Sequence, residues 1–73
     1  LDMNYTKKIE SYLLKKKKNS KIIMVTHDLF QAKRLADEIV FMNNGRLIEI
    51  SKTEDFLRSS NKTVKKFLSG SLF

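Results

Sequence analysis

The chain contains a single histidine, His27, and its surroundings decide what chemistry it can do. It follows the apolar run Ile22-Ile23-Met24-Val25, with Thr26 between, and is followed by Asp28. Imidazole titrates near neutrality and can donate from one ring nitrogen while accepting at the other. At the C-terminal end of a buried strand it is rigidly held where α/β sheets bind ligands. The plain alternative is a histidine that merely ends a strand and hydrogen-bonds locally. Asp28 is open to two roles, catalytic base or helix cap. The cap suits it better, because its carboxylate can accept backbone N–H groups of the helix it opens, and Gln31 is placed to reach back as in a capping box. One histidine and no cysteine point away from a zinc centre, and no metal-ligating residues are assigned.

The elements that must position these residues follow from the apolar spacing. Tyr5, Ile9, Tyr12 and Leu13 fall on one face of a helix from about residue 4 to 17, with Asp2 as its N-cap. Asn19 and Ser20 break it. The unalternated Ile22–Val25 run predicts a strand buried on both faces, the kind a parallel sheet requires. Helix followed by buried strand is half of a βαβ unit, so a further strand is expected before Leu1. Asp28 opens the next helix, on which Leu29, Ala32 and Ala36 form a narrow apolar stripe. Glu38–Met42 and Leu47–Ile50 predict two strands around Asn43-Asn44-Gly45, where Asn-Gly supplies the positive φ angles of a type I′ turn. A short helix follows from Thr53-Glu54-Asp55, and a last one places Val64, Phe67 and Leu68 on one side.

The order is therefore helix, strand, helix, hairpin, helix, helix, an α/β pattern that ends a domain rather than completing one. Seventy-three residues make one small domain at most. A chain this short buries only about 60% of its unfolded surface, and without cysteine no disulfide can reinforce it. The isolated chain is expected to be marginal, or to dimerise through an unpaired strand edge. No apolar run approaches the roughly 18 residues of a membrane span, and the expectation is a soluble, intracellular chain. Fifteen basic residues against eight acidic give a net charge of +7. The excess gathers at Lys15–Lys18 with Lys21 and at Lys62, Lys65 and Lys66, the first at a helix C-terminus where cations complement the dipole.

In order and spacing, Val25-Thr26-His27-Asp28, Gln31-Ala32, Leu35-Ala36-Asp37, the Ile39–Met42 strand, Gly45 and Leu47-Ile48-Glu49 resemble the C-terminal part of an ABC transporter ATPase domain. Leu1-Asp2 resembles the end of that family's D-loop, so the likeness spans residues 1–73. The resemblance implies the C-terminal portion of a P-loop NTPase fold. It implies that His27 is the switch histidine that senses the γ-phosphate, with Asp28 and Gln31 capping and orienting its helix. Asp2 would then lie toward the dimer interface. Phosphoryl transfer needs the attacking water and γ-phosphate held in line with donors on the developing charge, and one imidazole N–H can serve as such a donor. The Phe30-Gln31-Ala32-Lys33-Arg34-Leu35-Ala36 segment and the Leu68-Ser69-Gly70 ending look closest to importers of tungstate, molybdate or phosphate.

What the family needs besides is not in these residues. A phosphate loop requires Gly-x-x-x-x-Gly-Lys-Ser/Thr, and the two glycines, Gly45 and Gly70, sit in other contexts. No apolar strand ends in Asp-Glu to hold magnesium. Phe67-Leu68-Ser69-Gly70-Ser71 lies on the wrong side of the histidine to be the signature motif. The implied parent uses ATP and Mg and works with the remainder of its domain, a second ATPase subunit and a transmembrane permease at the inner face of the cell membrane. This chain alone is expected neither to bind ATP tightly nor to hydrolyse it. The alternative class is a small basic module for RNA or an acidic protein. Against it, Phe30, Phe41, Phe56 and Phe67 do not interleave with the lysines as a stacking platform would.

Overall fold

The computed structural model describes residues 3–72. Four helices and two strands follow in the order α1 (Met3–Lys16), α2 (Leu29–Leu35), β1 (Glu38–Asn43), β2 (Arg46–Lys52), α3 (Thr53–Phe56) and α4 (Lys62–Leu72). It is a small α/β unit whose sheet is the antiparallel pair β1-β2.

The turn explains the hairpin. Asn44 and Gly45 carry φ angles of 50° and 73°, a conformation open to glycine and tolerated by asparagine, and Asn43 pairs with Arg46 across them. Phe41 pairs with Glu49 but Met42 pairs with Leu47, which leaves Ile48 as an extra residue in β2. The bulge has a consequence for the faces. Leu47 and Ile50 are three residues apart and would point to opposite sides of a regular strand. With Ile48 inserted, both lie on the exposed face with their partners Met42 and Val40. Ile39, Phe41 and Ile48 turn to the other side and pack on the core.

That core is Leu29, Phe56, Val64 and Leu68, contributed by α2, α3 and α4. Phe56 and Val64 are 1% and 0% exposed. Phe41 closes the cluster, its ring 5.6 Å from Phe56 and 5.0 Å from Phe67, both tilted. Each fully buried side chain of this kind contributes about 1.5–3 kcal/mol. Asn61 starts α4, its Oδ1 accepting from the backbone N–H groups of Thr63 at 2.8 Å and Val64 at 3.2 Å.

Three expectations from the apolar pattern are corrected. The Ile22–Val25 run is not a buried strand: residues 21–27 are irregular, and Ile23 and Val25 are 95% and 96% exposed. A strand exists only as a ladder of hydrogen bonds, and among the described residues nothing offers this run a partner. Likewise Tyr5, Ile9 and Tyr12, the expected apolar face of the first helix, are exposed. Helix α1 instead turns Glu10 inward, with Leu13 half-buried. Leu35, outside the expected stripe of the second helix, is buried, whereas Ala32 and Ala36 are only half-buried.

Candidate functional site

His27 stands exposed at a bend between the irregular run and α2. What fixes its backbone lies in its two neighbours, Thr26 and Asp28. Asp28 has the extended backbone of an N-cap, and its Oδ1 accepts from the N–H groups of Phe30 at 2.9 Å and Gln31 at 3.2 Å. The N–H of Asp28 donates to Thr26 Oγ1 at 3.0 Å, so side chains of both neighbours clamp the turn that carries the imidazole. With its Oδ1 committed to two donors, the Asp28 carboxylate has the geometry of a cap rather than of a proton acceptor for a reaction.

The other half of the expected capping box does not form. Gln31 does not return to the Asp28 backbone; its Nε2 donates to Glu10 Oε2 at 3.4 Å. The reason is Glu10 itself, a carboxylate only 8% exposed that draws donors from α2. Arg34 meets it in a fork, Nε to Oε1 at 2.8 Å and Nη2 to Oε2 at 2.7 Å, the bidentate geometry that suits guanidinium to carboxylate. The hydrogen bonds from Arg34 hold the Glu10 carboxyl below its ordinary range, outweighing the opposing effect of burial. Glu10 in turn raises Arg34. A second tie closes the far end of the same helix pair: Lys17 Nζ donates to Leu35 O at 3.4 Å and to Asp37 Oδ1 at 3.1 Å.

Asp2 lies outside the described residues. The tie between Glu10 and Arg34 is not contained in any of the motifs, although a signal existed. Glu10 is the sole acid within the helix MNYTKKIESYLLKK, and a lone carboxylate beside the apolar face of a lysine-rich helix wants a specific cation. The lysine run is not one solvated block either, since Lys17 is pulled onto α2 and Lys16 lies over the Tyr12 ring at 5.9 Å. A shallow basic depression on α1 is lined by Lys7, Lys8, Ser11, Tyr12 and Lys15, and includes none of the residues around His27. Among the described residues no three histidine, aspartate or glutamate side chains converge to hold a metal.

The comparison with curated proteins fixes what this arrangement is related to. The phosphate import ATP-binding protein PstB 2 of Shouchella clausii is 38% identical over 71 residues, 96% of this chain and 26% of that protein. The phosphate import ATP-binding protein of Spiroplasma kunkelii is 41% identical over 71 residues, 96% of this chain and 26% of its own. That of Thermotoga maritima is 38% identical over 73 residues, 99% of this chain and 29% of its own. The chain is a relative of the phosphate import ATP-binding proteins. The resemblance to ABC transporter ATPases drawn from the motifs, with its leaning toward importers of small oxyanions, agrees with these relatives. The chain spans about a quarter of the length of these phosphate import ATP-binding proteins. No family model and no solved structure matches it. No helix among the described residues is long and apolar enough to cross a membrane.

Proposed function

We propose that this chain is the C-terminal part of the ATP-binding subunit of an ABC importer for phosphate or a similar oxyanion. His27 is its γ-phosphate sensor. The observation that carries the reading is identity of 38–41% to phosphate import ATP-binding proteins across nearly the whole chain. The subunit works as a dimer at the inner face of the membrane against a permease, with Asp2 toward the partner subunit. The basic-module alternative has no comparable support.

When bound, ATP supplies the phosphoryl group whose transfer drives import. This chain fits one corner of such a site. The imidazole of His27 donates from one ring nitrogen to a terminal phosphate oxygen, and hydrolysis removes that acceptor. Asp28 caps α2 and fixes where the imidazole sits. For magnesium the described residues offer no converging carboxylates, and no step is assigned to it here.

The test is a graft. This sequence replaces the matching segment of the Thermotoga maritima relative, and ATP hydrolysis is measured with and without His27→Ala. Removing a donor aimed at developing charge should lower kcat by about a hundredfold. A folded graft that never hydrolyses ATP, or one indifferent to His27→Ala, overturns the proposal.

A further inference from the structure

The contacts between α1 and α2 are unusual in kind. Leu29 of α2 belongs to the core cluster with α3 and α4, while among the described residues none of α1 joins it. Polar ties join α1 and the residue after it to α2 and its exit: Glu10 to Gln31 and Arg34, and Lys17 to Leu35 and Asp37. Glu10 is buried with every partner on α2, and its two oxygens take three donors spaced over one turn of that helix. His27 is held by its immediate neighbours. The run before it is irregular and exposed, so its position depends on Thr26, Asp28 and the helix that Asp28 caps.

We propose that Glu10 and Arg34 are positioning residues for His27. Their clasp sets how α2 lies against α1, and through the Asp28 cap and the Thr26 bond it sets where the imidazole is presented. Glu10 thereby couples the helix that begins beside Asp2 to the residue that senses phosphate. The clasp rests on the His27 reading for its purpose but not for its existence.

Two measurements separate these. In the isotope-labelled 73-residue chain, the Arg34 side-chain Nε–H should exchange with water about tenfold more slowly than that of exposed Arg46, the protection a persistent hydrogen bond gives. Glu10→Gln should abolish the difference and move the backbone amide resonances of His27 and Asp28. The exchanged pair Glu10→Arg with Arg34→Glu should protect the Nε–H of the arginine introduced at position 10 and return the His27 and Asp28 amides to their original positions. No protection of Arg34, in a folded or an unfolded chain, or unmoved His27 and Asp28 amides, overturns the clasp. In the graft, Glu10→Gln should lower kcat about tenfold with KM for ATP unchanged, and the exchanged pair should recover it. A loss that the exchange does not recover makes Glu10 merely structural and overturns the positioning role. Failure of His27→Ala to matter strikes the phosphate-sensor reading instead, while the exchange measurement still decides the clasp.

Discussion

Thr53 Oγ1 donates to the carbonyl of Ala36 at 2.6 Å, while the Thr53 backbone N–H donates to Asp37 O at 3.1 Å. One buried residue thus fastens the exit of α2 to the exit of β2, the two ends of the segment that holds the hairpin. Thr53→Val keeps the shape and the backbone bond but leaves the Ala36 carbonyl unpaired. The expected cost is about 1 kcal/mol, the net worth of one hydrogen bond to a half-buried carbonyl. Urea unfolding followed by circular dichroism measures it. A variant as stable as the parent would place water, not Thr53, on that carbonyl.

The core depends on aromatic packing more than its size suggests. Phe41 touches both Phe56 and Phe67, so it links the hairpin to α3 and α4 at once. Phe56→Ala empties the most central position and should cost about 3–5 kcal/mol, comparable to the whole stability of a small domain. Loss of the cooperative thermal transition is the expected result. Phe41→Leu keeps the volume near its original value but forfeits two ring pairs, each worth about 0.5–1.5 kcal/mol beyond burial. It should therefore fold with a lowered midpoint. A Phe56→Ala chain that melts like the parent would mean the cluster is not the core.

At Gly45 the cost of a side chain is purely conformational. A Cβ there would meet nothing within 4 Å, yet φ is 73°. Gly45→Ala should destabilise by about 1–2 kcal/mol through the left-handed backbone alone. Hydrogen exchange of the β1-β2 amides, fastest next to the turn, checks it. Equal exchange in both proteins would mean the turn relaxes to another type.

These positions also show what could be seen in advance. Asn44-Gly45, the Asp28 cap and the Val64–Leu68 face were legible because each is a local rule: backbone φ, a side chain two residues from its donor, a 3.6-residue period. The Ile22–Val25 run was legible only as apolar. Whether such a run becomes a strand depends on neighbours that its own residues do not contain. The Ile48 bulge was hidden for a similar reason, since alternation fails in β2 and only pairing shows where. The Glu10–Arg34 clasp joins residues 24 apart, beyond any local period, and its one trace was an isolated acid among lysines. The histidine was found by motif, but what fixes its backbone is visible only in three dimensions.

The clasp makes the attachment of α1 depend on pH in a stated direction. Hydrogen bonds from Arg34 first, its charge, and Gln31 hold Glu10 below its ordinary 4.5, against the effect of burial. A carboxyl depressed in the folded state binds its proton more readily when unfolded. Its contribution to stability is therefore complete above the unfolded value and lost as pH falls through the lower folded one. Below 4.5 the α1–α2 contact should loosen progressively, with α1 amides exchanging faster while those of α4 stay protected. Glu10→Gln should already show the fast α1 exchange at neutral pH and respond little to acid in that range. Salt should weaken the Lys17–Asp37 tie, whose aspartate is exposed, before it weakens the buried Glu10 fork. If α1 and α4 lose protection together on acidification, the two helices unfold as one unit and Glu10 is not the local control of α1.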